Sequence, residues 1–351
     1  MTRPTLTIGK HQVGLDQRPY VIAEMSGNHN GDLGRAKAIV EMAAEAGAHA
    51  IKLQTYTADT LTINSDKPAF KLADDHPLWG GRTLYDLYTE GSTPWEWHEP
   101  LFSLADELGM DAFSSPFDPT AVKFLTDLGV PAFKIASSEI VDIPLVRACA
   151  EQGKPMIIST GMASVGEVHA AVEASRAAGN DDIVVLSCTA EYPADPASSN
   201  LRGIPVFADT FDTLVGLSDH TMGIGAPIAA VAFGAVLIEK HVTLSRADGG
   251  VDSEFSLEPH ELKALVDETE VAWQALGRPR IGRKDSEQTG PRFRRSLFVT
   301  ADVKAGDPVT ADNVRSIRPA GGLPTELFDT VEGRPFRTDV ERGTPLSWDL
   351  I

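Results

Sequence analysis

The sequence is poor in cysteine, in basic residues and in long apolar runs, and each deficit excludes a class of protein. Only two cysteines, Cys149 and Cys188, occur in 351 residues, and both stand in apolar surroundings. This fits a reducing compartment and argues against a disulfide framework. No stretch approaches the roughly 18 apolar residues that a membrane-spanning helix needs, and the N-terminus lacks an apolar run of signal-peptide length. We therefore expect a cytoplasmic protein without a membrane partner.

The charge balance is strongly acidic, with 31 Lys and Arg residues against 50 Asp and Glu residues and a formal net charge of −19. A nucleic-acid backbone is held by clustered basic residues, so we expect no nucleic-acid partner. If the ligand is an anion, the basic residues that bind it must be focused locally against the global field.

The first three quarters of the chain repeat one pattern of strand and helix. A short β-branched apolar run ends in a polar residue, and an Ala- and Glu-rich segment of helical period follows. Helix-capping residues delimit these segments, with Gly47, Pro119 and Ser164 as examples. Eight apolar runs occur, at residues 19–25, 50–55, 111–117, 132–138, 155–160, 183–190, 214–220 and 235–242. Eight such units predict a (β/α)8 TIM barrel of about 250 residues, here residues 1–277. The alternative is an open doubly wound sheet, which the absence of a glycine-rich dinucleotide loop disfavours.

Two further segments do not belong to this repeat. The insertion between the second and third runs is rich in Trp and Tyr, and we expect it on the catalytic face as a substrate lid or an interface. After a basic linker at residues 278–294, residues 295–351 contain a pseudo-repeat and predict a small β-rich domain. The pseudo-repeat places Asp302, Gly306, Pro308 and Asp312 each 37 positions before Asp339, Gly343, Pro345 and Asp349. So small a domain is marginal alone, so we expect it to pack against something.

Polar residues stand at the carboxyl ends of nearly all the predicted strands, where a barrel has its active site. Lys52 and Lys134 lie inside apolar runs, which is costly unless they face a bound anion or form a buried salt bridge. We favour the anion, since serines and helix N-termini are the usual surroundings of a phosphate. The other strand-end polar residues are Glu24, Gln54, Ser115, Ser137, Glu139, Ser159, Thr189, Ser218 and Glu239.

Two histidines, His220 and His241, end the seventh and eighth runs, so we expect them to be neighbours. With the carboxylates of Asp219, Glu239 and Asp252 close by, they form a candidate open site for a divalent metal. The alternative for each histidine is a hydrogen-bonded core residue.

Eight segments resemble, in the same order, the strand-end motifs of the sialic acid synthase family. They are IAEMSGNHNGD, IKLQTYTADTL, FSSPFD, KIASSEI, ISTGM, CTAEYP, GLSDHT and IEKHVT. The C-terminal residues are similar to the antifreeze-like (SAF) domain of that family, so the match covers essentially the whole chain. Within the family, the segments TLYDLYTEGSTPWEWH, NSDK and DGGVDSEFSLEP are most similar to the branch that makes pseudaminic acid.

The resemblance implies that phosphoenolpyruvate condenses with 2,4-diacetamido-2,4,6-trideoxy-L-altrose and water to give pseudaminic acid and phosphate. It implies a divalent ion, manganese with magnesium or cobalt as alternatives, on His220 and His241. Glu24 would act on the water or on the aldehyde. It also implies a domain-swapped homodimer in which each SAF domain caps the partner's barrel. The implied phosphoenolpyruvate contacts are Lys52, Ser115, Lys134, Ser137, Ser159 and Ser218, and the implied sugar contacts are Gln54, Glu139, Tyr192, Asp252 and Arg342.

The chain departs from the family pattern at two positions. Ala190 stands where the relatives have an asparagine, so one phosphoenolpyruvate contact is lost or is replaced by Thr189. Glu341 stands where their SAF domain has an arginine, which leaves Arg342 or Arg318 as candidates. N-acetylneuraminate or legionaminate synthesis, a metal-dependent aldolase and a non-catalytic sugar-binding protein are the alternative functions.

Overall fold

The computed structural model describes residues 5–72, 80–279, 281–287 and 290–351. Part of the insertion predicted as a lid, residues 73–79, lies outside the described residues, as do residues 280 and 288–289 of the predicted linker. The chain forms two compact units, residues 1–277 and 278–351. Among the described residues, no helix has the length and apolarity that crossing a membrane requires.

A closed barrel of eight parallel strands forms the first unit. A short antiparallel hairpin, β1 (Thr5–Ile8) and β2 (His11–Gly14), precedes it. The barrel strands are β3 (Tyr20–Glu24), β4 (Ala50–Thr55), β5 (Asp111–Pro116), β6 (Phe133–Ile135), β7 (Met156–Ser159), β8 (Ile183–Cys188), β9 (Leu214–Asp219) and β10 (Leu237–His241). Each predicted run contains one of these strands, and β10 pairs with β3 to close the ring. The TIM barrel is thereby confirmed, and the alternative of an open sheet is wrong.

Helices join the barrel strands and bury their apolar faces against them. In the first of these, Ala36, Ile39, Val40 and Ala43 are buried at the spacing of one helical face. The predicted caps are present, since Ser164 forms a capping box with Glu167. The helices are α1 (Leu33–Glu45), α2 (Ala58–Leu61), α3 (Leu84–Gly91), α4 (His98–Glu107), α5 (Pro119–Asp127), α6 (Ile143–Ala150), α7 (Val165–Ala177), α8 (Ile204–Phe211), α9 (Gly225–Ala232) and α10 (Pro259–Leu276).

Strand register decides which polar side chains become neighbours at the carboxyl end of the barrel. His241 on β10 lies beside Glu24 on β3, and Glu24 lies beside Lys52 on β4. Because side chains alternate along a strand, Glu239 and His241 share one face of β10 while Lys240 takes the other. Lys240 is fully buried and pairs with Asp219 at 2.8 Å. The ammonium group of Lys240 is therefore neutralised by Asp219 on the face of β10 opposite to Glu239 and His241.

The C-terminal unit is built on a two-fold pseudo-symmetric pairing that follows the sequence repeat. Strands β11 (Ser296–Val299) and β12 (Val314–Ile317) pair antiparallel, and the short helix α11 (Phe328–Val331) follows. Val303 and Val340, which are equivalent positions of the repeat, exchange two backbone hydrogen bonds of 3.0 Å with each other. Equivalent aspartates act alike, since Asp302 accepts from the Arg342 N–H and Asp339 accepts from the Ala305 N–H. The core of this unit is formed by Leu297, Val299, Val303, Val309, Val314, Val331, Phe336, Val340, Leu346 and Ile351.

Candidate active site

Two adjoining cavities open at the carboxyl ends of the barrel strands. The inner cavity measures about 60 Å³ and is lined by Glu24, Lys52, Gln54, Ser115, Phe117, Lys134, Ala136, Ser137, Ser159, Cys188, Tyr192, Ser218, His220, Glu239 and His241. The outer cavity measures about 400 Å³ and shares Gln54, Phe117, Ala136, Ser137, Tyr192 and His241 with the inner one. Glu139 and Asp252 line only the outer cavity. Of the candidate site residues that the sequence predicts in the barrel, all but Thr189 and Asp219 line one cavity or both.

Two buried lysines dominate the inner cavity. Lys52 Nζ lies 2.5 Å from Glu24 Oε2, 3.9 Å from Glu239 Oε2 and 3.3 Å from Ser115 Oγ. Lys134 Nζ lies 2.7 Å from Ser159 Oγ and 3.5 Å from Glu239 Oε1. The sequence left an anion site and a buried salt bridge as alternatives. The structure shows the buried salt bridges, while the anion site stays a prediction that the hydroxyl groups beside Lys52 and Lys134 favour.

The pKa values of this cluster follow from burial and from the opposing charges. Burial acts to lower the pKa of Lys52, but the carboxylates of Glu239 and Glu24 outweigh it and raise the value. Burial lowers the pKa of Lys134, and Glu239 only partly offsets this. Burial acts to raise the pKa of Glu239, but the two ammonium groups hold it below its usual value. Opposite charges thus stabilise one another in a region where an unpaired charge would be costly.

Glu24 belongs to a hydrogen-bonded chain that sequence reasoning found only in part. The side chain of Glu24 is fully buried, and its Oε1 accepts from Gln54 Nε2 at 3.0 Å and from the Ser26 N–H at 3.2 Å. The Ser26 hydroxyl donates to Asp252 and accepts from Gln54 at 3.3 Å. Burial raises the pKa of Glu24 in spite of Lys52. Ser26 therefore joins two predicted site carboxylates, and the sequence analysis did not include it.

The structure marks Ser26 by an unusual backbone conformation, which cannot be read from the sequence. Its φ is 48°, in the left-handed region that glycine adopts without penalty and serine does not. Such outliers persist where the surrounding structure holds them, and they cluster at functional sites.

The two histidines are neighbours, as predicted. The rings of His220 and His241 have centroids 5.3 Å apart, and the ring of Tyr192 packs 4.3 Å from that of His220. His220 Nδ1 lies 2.8 Å from the Thr189 carbonyl oxygen, to which a neutral imidazole donates, so its Nε2 is left as an acceptor. His241 Nδ1 has no hydrogen-bond partner and lies 3.5 Å from Asp252 Oδ2. Burial lowers the pKa of both imidazoles, which keeps them neutral.

This donor set fits a metal bound through two imidazoles in an open site. Neutral imidazole is the form that binds metal, and a backbone carbonyl on the second ring nitrogen is the usual support of a metal-binding histidine. In the described part of the chain, no group of three or more His, Cys, Asp or Glu side chains has the arrangement of a metal site. Asp219, which the sequence analysis placed near the histidines, pairs with Lys240 and Thr221 instead. The remaining coordination positions would be left to water and substrate.

The outer cavity combines polar groups near the histidines with an apolar wall. The wall contains Leu61, Leu72, Leu84, Leu87 and Tyr88, which come from the insertion between β4 and β5. Near the junction, Glu139 follows β6 in a short 3-10 turn, and its Oε2 is buried without a hydrogen-bond partner. Burial raises the pKa of Glu139 to about 7. The two described tryptophans of the insertion lie elsewhere, since Trp95 packs against Phe124 and Trp97 contacts His29.

The departures from the family pattern lie in two different parts of the structure. Ala190 lines the outer cavity, whereas the Thr189 hydroxyl donates to the Ser198 carbonyl at 3.2 Å. Thr189 lines neither cavity, and its replacement of the lost contact stays a prediction. Arg342 and Arg318 belong to the C-terminal unit, where both side chains are exposed.

Comparison with known proteins gives a consistent result. The model of the NeuB family matches residues 39–280, and the SAF domain matches residues 294–351. The pseudaminic acid synthase of Campylobacter jejuni subsp. jejuni serotype O:23/36 (strain 81-176) is 40% identical over 331 residues, which cover 94% of this chain and 96% of the relative. The N,N'-diacetyllegionaminic acid synthase of Legionella pneumophila is 36% identical and covers 96% of both chains. Among solved structures, an N-acetylneuraminic acid synthetase from Leptospira borgpetersenii in complex with citrate matches with a TM-score of 0.73 and 32% identity, covering 82% of this chain and 95% of that one.

Proposed function

Because the chain belongs to the NeuB family and carries a C-terminal SAF domain, we propose that it is a pseudaminic acid synthase. It condenses phosphoenolpyruvate with 2,4-diacetamido-2,4,6-trideoxy-L-altrose and water, and it releases phosphate. One observation carries this proposal beyond the similarity: a small cavity with two buried lysines adjoins a larger sugar-sized cavity, and two neutral histidines stand at the inner cavity. A metal-dependent aldolase has no comparable need for the lysines, and a non-catalytic binding protein has no need for the whole set.

The inner cavity is the proposed site for phosphoenolpyruvate. Lys52 and Lys134 provide the positive charge for its phosphate and carboxylate groups, and the hydroxyls beside them donate hydrogen bonds. The hydroxyl groups come from Ser115, Ser137, Ser159 and Ser218. Fixing the nucleophile in this way places its methylene carbon towards the junction with the outer cavity, where the aldehyde lies. Such positioning lowers the activation free energy by several kcal/mol, and by about 10 kcal/mol at most.

The reaction then needs one new C–C bond, one proton acceptor and one leaving group. The methylene carbon of phosphoenolpyruvate bonds to the aldehyde carbon as the carbonyl π bond breaks, and the alkoxide that forms takes up the proton that Glu24 removes from water. Water adds to the cationic carbon that remains and loses a proton to Glu24, whose raised pKa makes it a better base than an ordinary carboxylate. The tetrahedral intermediate breaks its C–O bond to phosphate, its hydroxyl proton passes to the departing phosphate, and the ketone of the product forms. Gln54, Glu139, Tyr192 and Asp252 are positioned along the cavities to contact the sugar.

We further propose that His220 and His241 hold a divalent ion, with manganese as the first choice and magnesium or cobalt as alternatives. When bound, the ion supplies a positive charge that polarises the aldehyde carbonyl. The neutral imidazoles and the unpartnered His241 Nδ1 support this ligand role. A chelator should abolish turnover, and added manganese should restore it.

We also propose a cytoplasmic, domain-swapped homodimer in which Arg342 of one chain reaches the sugar in the partner's barrel. The exposed side chain of Arg342 is free to make such a contact. Complementation tests this directly, because Lys134→Met chains carry an intact SAF domain and Arg342→Ala chains carry an intact barrel. Mixing the two inactive variants should restore activity if the domains are swapped, and it should restore none if each SAF domain serves its own barrel.

Phosphate release from phosphoenolpyruvate in the presence of manganese tests the overall function. Release with the diacetamido altrose sugar, and not with N-acetylmannosamine or without sugar, is expected. Lys134→Met should abolish it, whereas Lys123→Met, at an exposed lysine of α5, should leave it unchanged. Release with N-acetylmannosamine alone would overturn the sugar assignment, and turnover of pyruvate without phosphate release would indicate an aldolase.

A further inference from the structure

The outer cavity has two chemically different ends. The polar end lies at the junction with the inner cavity and presents Gln54, Ser137, Tyr192 and His241. The part of the outer cavity that the inner one does not share includes the leucine wall, which we define as Leu61, Leu72, Leu84, Leu87 and Tyr88, besides the carboxyl groups of Glu139 and Asp252. These five side chains line the outer cavity only, and none lines the inner one.

This arrangement orients a sugar that reacts at the junction. The aldehyde carbon must meet the methylene carbon of phosphoenolpyruvate, so C1 of the sugar lies at the polar end. The opposite end of the open chain, C4 to C6, then extends towards the leucine wall. We infer that the leucine wall recognises the 6-methyl and 4-acetamido methyl groups of the sugar and selects against a hydroxyl or a phosphate at C6. This inference rests on the proposed function and adds its specificity-determining residues.

The side chains of the wall explain why a hydroxyl would be rejected. Four are leucines, which can neither donate nor accept a hydrogen bond, and they are partly buried before any ligand arrives. A C6 hydroxyl that leaves water for the four leucines gains no partner from them, whereas a methyl group gains apolar contact. Discrimination of this kind by a hydrophobic pocket amounts to roughly 10- to 100-fold in kcat/KM.

The charges around the cavity exclude a phosphate for a separate reason. Among the described residues that line the outer cavity, none is a lysine or an arginine, and two, Glu139 and Asp252, are carboxylic acids. A C6 phosphate needs cationic partners, and those of the barrel site, Lys52 and Lys134, belong to the inner cavity. A 6-phosphorylated amino sugar should therefore be a poor substrate.

The test compares matched sugars on the full-length, metal-loaded enzyme. The probes are 2,4-diacetamido-2,4,6-trideoxy-L-altrose, its analogue with a hydroxyl at C6, and that analogue phosphorylated at C6. The wild-type enzyme should prefer the first over the second by roughly 10- to 100-fold in kcat/KM, and turnover of the third should be lower still. Equal kcat/KM values for the first two sugars would overturn the inference.

Variants then assign the preference to the wall. Leu87→Asn should lower kcat/KM for the deoxy sugar and reduce the preference at least several-fold, whereas Leu87→Ala should lower the rate without creating a partner for the hydroxyl. Leu108→Asn, at an exposed leucine outside both cavities, is the matched control and should keep the wild-type preference. Leu84→Asn serves as the second wall variant if Leu87→Asn fails to fold.

The outcomes separate the inference from the function on which it rests. An unchanged preference in the folded wall variants would show that other residues select the sugar. If no sugar releases phosphate, the proposed function fails. In that case calorimetric binding of the deoxy and 6-hydroxy sugars decides the role of the wall alone, with equal affinities counting against it and tighter binding of the deoxy sugar supporting it.

Discussion

Ser26 offers the sharpest test of how the site is held together, because two substitutions separate its backbone from its hydroxyl. The residue has a φ of 48°, and its hydroxyl donates to the mostly buried carboxylate of Asp252. Ser26→Ala removes the hydroxyl and keeps the unfavourable backbone. Ser26→Gly also removes the hydroxyl, but glycine adopts a positive φ without steric cost.

The expected energies follow from these two contributions. Leaving a buried carboxylate without one of its donors costs about 1–3 kcal/mol of folding free energy. A non-glycine residue in the left-handed region costs about 1–2 kcal/mol relative to glycine. The Ala variant should therefore be about 1–3 kcal/mol less stable than wild type, and the Gly variant should recover about 1 kcal/mol of this. Both should lose about 10-fold or more in kcat, since Gln54 and Asp252 lose the group that joins them.

Urea unfolding measures the stabilities, and phosphate release measures kcat and KM. Asp212→Gly is the matched control, because Asp212 has a φ of 50° at the end of α8, away from both cavities. It should be as stable as wild type or more so, with unchanged kcat. A Ser26→Gly enzyme with wild-type kcat would refute the reasoning, since the hydroxyl would then serve the fold and not the reaction.

Three further predictions concern titration and packing. Burial raises the pKa of Glu139 to about 7. In the proposed site the ionised carboxylate accepts hydrogen bonds from the sugar, so kcat/KM should rise as the pH increases through 7. Initial rates of the Glu139→Gln variant should not show this rise. Burial lowers the pKa of His98 to about 4 and that of His49 to about 3. Below about pH 6.5 the unfolded chain therefore binds more protons than the folded chain. The free energy of unfolding should be highest above that pH, and it should fall by up to about 1.4 kcal/mol per histidine for each pH unit below it. Urea unfolding at pH 7 and pH 5 checks this, and an unchanged slope in His49→Gln would contradict it. A methyl group at Gly216 would lie 2.4 Å from a carbonyl oxygen of the next strand, so Gly216→Ala should prevent soluble expression, whereas Gly225→Ala, with open space around it, should express normally.

The fold was predictable because each barrel strand has its own apolar run with a polar end. All eight windows read from the sequence contain a strand, and the positions of Lys52 within β4 and of His241 at the end of β10 followed from them. The hairpin of β1 and β2 escaped prediction because each strand has four residues and only some of them are buried. Local pattern carries little information over so short a length.

The site was predictable where residue type alone reveals its chemistry. Lysines inside apolar strands and paired histidines are unusual enough to stand out, and the structure places them together. Ser26 could not be found in this way, because its role depends on a backbone conformation and on Asp252, a partner more than two hundred positions away. The leucine wall was hidden for the opposite reason, since leucines in an insertion look like ordinary core residues until the cavity beside them is known.

The arrangement of Glu24, Lys52, Lys134 and Glu239 has a consequence for the end of the catalytic cycle. The two ammonium groups already have two carboxylates as neighbours before any ligand arrives. An incoming phosphate must therefore displace these internal counter-ions, which weakens its hold on the site. The same carboxylates can reclaim the lysines when inorganic phosphate departs. In the proposed reaction, the carboxylates would compete with phosphate for the two lysines, which would weaken the binding of phosphoenolpyruvate and favour the dissociation of inorganic phosphate.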